Sequence, residues 1–126
     1  MRLLLDTHIL LWWLAEDPAL PAAARTLIAD PANAVFVSPM TLWEIAIKTR
    51  LGKMAADVDA VRAETTDGGF ASLPFTADHA SEVARLPDHH RDPFDRALVA
   101  QARFEPMRLI THDRAVAAYG DGILLV

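Results

Sequence analysis

Five carboxylates stand where apolar stretches give way to helices or just inside the helices that follow: Asp6, Glu44, Asp92, Asp95 and Asp113. Asp6 closes the apolar run Arg2–Leu5, Asp113 follows Arg108–Thr111, and Glu44 sits in a helical stretch after Ala34–Val37. Asp92 and Asp95 bracket the start of another helical stretch, three residues apart and on one face of it. Carboxylates gathered at one place repel one another and bind a hard divalent cation through oxygen, which favours magnesium or manganese over softer metals. Such ions activate water and stabilise charge on phosphate, so the chemistry open to these residues is hydrolysis without a covalent nucleophile.

Each acid also has a plainer role. Asp6 and Asp113 precede helices, where aspartate is a favoured N-cap, and Asp92 stands before Pro93 at a first helical position. Asp95 falls in the first turn, where the helix dipole stabilises it. Glu44 can pair with Lys48 four residues on, but Leu42, Trp43, Ile45, Ala46 and Ile47 surround it. A carboxylate among such residues is costly to bury unless it is paired or bound to a metal.

The remaining polar chemistry is sparse. The chain has no cysteine, which excludes disulfides, thiolate zinc and a cysteine nucleophile, and leaves oxygen and imidazole as metal ligands. His8 and His112 lie beside candidate acids, placed to contact substrate or orient a carboxylate, with local packing the competing role. His79, His89 and His90 read as solvated surface, and no HxxxH pair suggests zinc. Trp12, Trp13 and Trp43 keep apolar company at helical spacing and read as core or interface.

These residues must be positioned by one scaffold. At 126 residues the chain fits a single domain, 1–126, and at 52% hydrophobic and 23% charged it is folded, not disordered. The longest apolar runs are too short for a membrane span or a signal peptide, so a cytoplasmic protein is expected. The pattern predicts strands at Arg2–Leu5, Ala34–Val37, Arg108–Thr111 and Gly122–Val126, with a short strand or extended segment over Phe70–Phe75. Helices are expected over Ile9–Leu14, Pro21 to about Ala29, Pro39 to about Arg50, Asp57 to about Thr66, Ala77–Leu86, Pro93–Phe104 and Arg114–Tyr119. The helix at Pro39 is the best marked, with Ser38 as N-cap, proline at the first position and Gly52 past its end. Strands alternating with helices predict a three-layer α/β/α sandwich with a central parallel sheet. In such a sheet ligands bind at the carboxyl ends of the strands, where the acids would meet.

Over essentially its whole length the chain resembles the PIN-domain family, and within it the VapC-like toxins. LLLDTHILLWWL is similar to the family's first acidic block, VSPMTLWEIAIKTRLGK to the second, HRDPFDRALVAQA to the third and LITHD to the fourth, in the same order. The resemblance implies a metal-dependent endoribonuclease, the toxin of a toxin-antitoxin pair, with Asp6, Glu44, Asp95 and Asp113 as the acidic site and Mg2+ or Mn2+ as cofactor. In the third block Asp95 is favoured, with Asp92 as helper. Thr111 matches a position where the family carries a small hydroxyl residue, and Thr7 stands in a similar place beside Asp6. Arg96, with Thr7 and Thr111, is a candidate for binding the substrate.

The resemblance also implies an RNA substrate, a cognate VapB-like antitoxin whose tail covers the groove and site, and a homodimer. Leu11, Trp12, Trp13 and Trp43 are candidates for lining that groove, with core packing the competing role. Lys48, Arg50, Lys53, Arg91, Arg96 and Arg114 lie near the acidic blocks and are candidates for phosphate contacts. The net charge of -5 argues against a nucleic-acid partner. Two divalent ions would bring +4, leaving about -1, so net charge decides little.

Two rival readings give different expectations. Aspartate-nucleophile phosphohydrolases also place an acid at the end of a first strand, but their DxD motif is absent here: Thr7 and His8 follow Asp6, and the only lysines are Lys48 and Lys53. A non-catalytic binding domain that kept the fold would be expected to lack one of the acids, and none is missing.

Overall fold

Leu3, Leu4 and Leu5 are all fully buried, although successive side chains of a strand point to opposite faces. Helices must therefore cover both faces of the sheet, and in the computed structural model, which describes residues 1–126, they do. The first half of the chain runs β1 (Arg2–Leu5), α1 (Thr7–Leu14), α2 (Ala22–Ala29), β2 (Ala34–Val37), α3 (Pro39–Arg50) and α4 (Val58–Asp67). The second half runs β3 (Ala71–Ser72), α5 (Ala77–Arg85), α6 (Pro93–Phe104), β4 (Arg108–Thr111), α7 (Arg114–Ala117) and β5 (Ile123–Leu125).

The five strands form one parallel sheet in the order β3-β2-β1-β4-β5. Leu4 stands opposite Phe36 of β2 on one side and Leu109 of β4 on the other. Alternation along the strands then sorts the core into two clusters. Leu3, Leu5, Val35, Val37 and Ile110 pack with Ile9, Leu10, Ala24, Ile28, Ile45 and Val61, so α1–α4 supply one outer layer. Leu4 and Leu109 pack on the opposite face with Leu98, Val99, Ala102 and Val116, the contribution of α6 and α7. The result is the expected α/β/α sandwich. After β3 the chain returns across the sheet to lay β4 against β1, so the order reverses between these two strands. That switch point is where a parallel sheet opens a crevice at its carboxyl edge.

Helix starts follow the capping residues. Ser38 accepts from the Met40 N–H at 3.1 Å with Pro39 at the first position of α3, and Gly52, at φ 73°, follows the helix end. Asp57 caps α4 and Thr76 caps α5. α1 begins at Thr7, earlier than its apolar run suggests, because Asp6 takes the cap position. The extended segment expected at Phe70–Phe75 pairs as a strand only over Ala71–Ser72, with one more ladder bond from the Leu73 N–H to the Val37 carbonyl at 3.0 Å. Pro74, having no N–H, cannot continue the ladder. α5 ends at Arg85 because Leu86 precedes Pro87 and adopts extended backbone. No helix is long and apolar enough to cross a membrane.

Candidate active site

A cavity of about 460 Å³ opens at the carboxyl edge of the sheet beside the β1/β4 switch point. Asp6 reaches it from the end of β1, Glu44 from α3, Asp92 and Asp95 from the start of α6, and Asp113 from the turn after β4. Five carboxylates separated by up to 107 positions thus share one wall, with Lys48 and Arg114 as the only Lys or Arg side chains lining it.

The two deepest acids are held by hydroxyls. Asp6 is buried; one carboxylate oxygen accepts from the Thr7 N–H at 2.6 Å and the other from the Thr111 hydroxyl at 2.6 Å. Thr111 in turn accepts from the Asp113 N–H at 3.0 Å, so one side chain ties two acids together. Glu44 accepts from the Thr7 hydroxyl at 2.6 Å through one oxygen, and its other oxygen pairs with Lys48. Thr7 and Thr111 are themselves buried, so both act on the carboxylates and neither presents a surface to a ligand.

The acids at the mouth are also caps. Asp92 accepts from the N–H groups of Phe94 and Asp95 at 2.9 and 3.1 Å, and Asp113 accepts from Ala115 N–H at 2.8 Å. Capping does not remove them from the cavity, since each cap uses one oxygen of the two. Asp95 is bound differently: its Oδ2 lies 2.8 Å from His90 Nε2.

Crowding leaves an electrostatic imprint. Burial, followed by the charges of Asp6 and Asp92, pushes the Asp95 carboxyl from 3.8 up to about 7. Burial also raises Asp6, against the opposing hydrogen bonds from Thr111 and Thr7. Lys48 is raised, first by its hydrogen bond to Glu44. Carboxylates pushed toward protonation by burial and by one another form a donor set of five acids against only Lys48 and Arg114. The residues therefore fit a hard divalent cation, which would relieve both desolvation and repulsion.

Other candidates lie elsewhere. Arg96 does not line the cavity: its guanidinium donates to the carbonyls of Pro87, Val83 and His90 at 3.0, 3.3 and 3.4 Å and to the Tyr119 hydroxyl at 2.9 Å. It straps the Pro87–Arg91 loop down, a tertiary role that its place in sequence beside Asp95 does not reveal. Trp12 lines the cavity between the rings of His8 and His112, at 5.9 and 5.8 Å. Trp13 packs on Phe70, and Trp43, 55% exposed, sits edge-on to Phe94. Leu11 joins Leu14, Met54, Ala56, Ala60 and Val61 in a separate apolar groove between α1 and α4.

The histidines depart most from the sequence reading. His79 is not on the surface but fully buried, between the rings of Phe75 and Phe104. His90 does not face solvent alone but forms part of the cavity wall. Its one sequence signal is a position five residues before Asp95, across a loop that can fold back.

Comparison with known proteins supplies the family. The PIN domain family model matches residues 3–122. A search of curated proteins finds no match to the sequence. Among solved structures, the chain is similar to VapBC2 from Rickettsia felis bound to a promoter DNA fragment, at TM-score 0.70 and 14% identity, covering 100% of this chain and 98% of that one. It is also similar to a toxin-antitoxin complex from Klebsiella pneumoniae, at TM-score 0.65 and 22% identity, covering 96% and 94%. A third is VapC20 of Mycobacterium tuberculosis, a sarcin-ricin-loop-cleaving toxin, at TM-score 0.62 and 22% identity, covering 94% and 95%. Identities this low establish a shared fold.

Proposed function

The chain belongs to the PIN-domain family, a family of nucleases, and from that premise we propose that it is a metal-dependent endoribonuclease acting as the toxin of a toxin-antitoxin pair. The observation that carries this reading is the convergence of Asp6, Glu44, Asp95 and Asp113 from four separate elements on one cavity at the sheet's switch point. Packing alone gives no reason to collect them, because each raises the cost of the next.

In this reading Asp6, Glu44, Asp95 and Asp113 hold Mg2+ or Mn2+, with Asp92 as helper. A bound ion supplies Lewis acidity toward water and toward the phosphate oxygens during in-line attack. The protein's part is positioning. Thr111 fixes Asp6 and Thr7 fixes Glu44, so the deepest acids reach the cavity in set orientations without reorganising. Lys48 offsets part of the charge on Glu44, and Arg114 stands on the cavity wall where a phosphate would enter. Against the phosphohydrolase reading stands the sequence itself, in which Thr7 and His8 follow Asp6 and no DxD motif is present.

The partners we infer are RNA as substrate, a VapB-like antitoxin and a second copy of the chain, working in the cytoplasm. The apolar groove between α1 and α4 offers a seat for an antitoxin segment. The deciding experiment incubates purified protein with total RNA and Mg2+ or Mn2+, beside an EDTA control and Asp95→Asn. Discrete cuts that need the metal and vanish in the variant are the expected result. No cuts under any condition, or cuts indifferent to EDTA and to the substitution, would overturn it.

A further inference from the structure

Resting on the metal-dependent reading above, we infer that His90 is a metal ligand of this site, joining Asp95 and Asp113 and turning an all-oxygen centre into a mixed nitrogen and oxygen one that favours Mn2+ over Mg2+. Each of these three residues offers a ligand atom, and the three atoms all lie within 4.8 Å of one another. Two atoms bound at right angles to one ion at about 2.1 Å lie roughly 3 Å apart. His90 Nε2 and Asp95 Oδ2, at 2.8 Å, already stand at that spacing. The contact is a hydrogen bond when no ion is present, and an ion that takes both atoms releases the proton between them.

The placement of His90 is built and not incidental to a loose loop. Its carbonyl accepts from the Arg96 guanidinium at 3.4 Å and from the Tyr119 hydroxyl at 3.3 Å. Tyr119 is buried, accepts from Arg96 at 2.9 Å and carries the His89 ring against its own at 5.2 Å. The loop backbone is thereby tied to α6 and to the turn after α7, on either side of the acids. The imidazole is 24% exposed, its Nε2 directed at Asp95, while its other ring nitrogen makes no hydrogen bond within the protein. A histidine serving only to stabilise the loop would have no need to face the acids.

The chemistry sets the selectivity. Mg2+ holds to oxygen donors and dehydrates reluctantly, whereas an imidazole nitrogen suits transition ions, with Mn2+ the weakest binder of that series. His90 therefore raises affinity for Mn2+ more than for Mg2+.

The test is pulsed electron paramagnetic resonance on the full chain loaded with Mn2+ alone, for the wild type, His90→Gln, and His8→Gln and His112→Gln, which alter the other histidines of the cavity. A nitrogen hyperfine coupling in the wild type that disappears in His90→Gln and survives in the other two is expected. In parallel, Mn2+ affinity falls at least roughly tenfold in His90→Gln, with a smaller change for Mg2+. Bound Mn2+ without nitrogen coupling, or a coupling that survives His90→Gln in a variant of unchanged thermal stability, overturns the role of His90 and leaves the acidic metal site standing. Failure of the wild type to bind Mn2+ at all overturns the metal-dependent reading itself.

Discussion

Two histidine–carboxylate pairs, at opposite ends of α6, use nearly the same contact for different purposes. His79 Nε2 lies 2.6 Å from Glu105, and its Nδ1 accepts from the Thr76 N–H at 3.0 Å. Both ring nitrogens are satisfied, the ring is buried between two phenylalanines, and the pair closes α5 onto the end of α6. His90 Nε2 lies 2.8 Å from Asp95, but one nitrogen is unengaged and the carboxylate shares its cavity with four others. The first pair is complete within the protein; the second becomes complete only with something added. A short histidine–carboxylate distance therefore says little by itself. What surrounds it decides whether it holds the fold or waits for a ligand.

The sharpest way to break this comparison is at the acids. Asp95→Asn should lower RNA cleavage by at least about a hundredfold, ~2.7 kcal/mol of barrier, with circular dichroism unchanged. Glu105→Gln, which keeps a hydrogen-bond acceptor for His79, should leave the cleavage rate alone in the same gel assay. Equal losses in the two variants would erase the distinction.

The histidines should separate in the opposite sense. His79→Ala removes two partly buried hydrogen bonds and the packing of a buried ring, and should cost about 2–4 kcal/mol in denaturant unfolding. His90→Ala, at a loop surface, should stay within about 0.5 kcal/mol of wild type without metal.

The pair at the cavity should also give the protein a pH dependence. Asp95 titrates at about 7 in the fold, against 3.8 for an ordinary aspartate. Between those values the folded chain keeps a proton that the unfolded chain has released, so stability without metal falls as pH rises through this window. Added Mn2+ should raise Tm by several degrees at pH 8 and hardly at all at pH 4. Asp95→Asn should flatten the metal-free slope, measured by thermal unfolding across pH.

A modest effect on metal binding is expected from Tyr119→Phe, which removes one hydroxyl that accepts from Arg96 and donates to the His90 carbonyl. It should cost about 0.5–1.5 kcal/mol of stability and weaken Mn2+ binding less than His90→Gln does, by calorimetric titration.

Sequence carried the scaffold further than the histidines. The α/β/α architecture was legible because caps and prolines such as Ser38, Pro39, Asp92 and Pro93 mark helix starts, and because apolar strands such as Arg2–Leu5 alternate with those helices. The gathering of the five acids at one edge was legible as well, since strand ends in a parallel sheet share that edge. Neither histidine pair was. His79 meets a residue 26 positions away and His90 is set by Arg96 and Tyr119, tertiary contacts that leave no periodic trace. One local signal existed: Thr76 and His79 form a capping box in which histidine stands where glutamate or glutamine is usual. Arg96 shows the converse. Its place beside Asp95 suggests substrate, whereas its guanidinium is taken up by loop carbonyls.

The hydrogen bond between Asp6 and Thr111 spans 105 positions of the chain, and this has a temporal consequence. During synthesis, β1 emerges first yet lacks its neighbour β4 until residue 111 has followed it out. Pairings this distant in sequence form slowly, since a long loop must close before any contact rewards it. Asp6 therefore gains its final orientation only after the 105 positions that separate it from Thr111 have been made. A site assembled in this order stays incomplete until β4 has followed β1 out and paired with it.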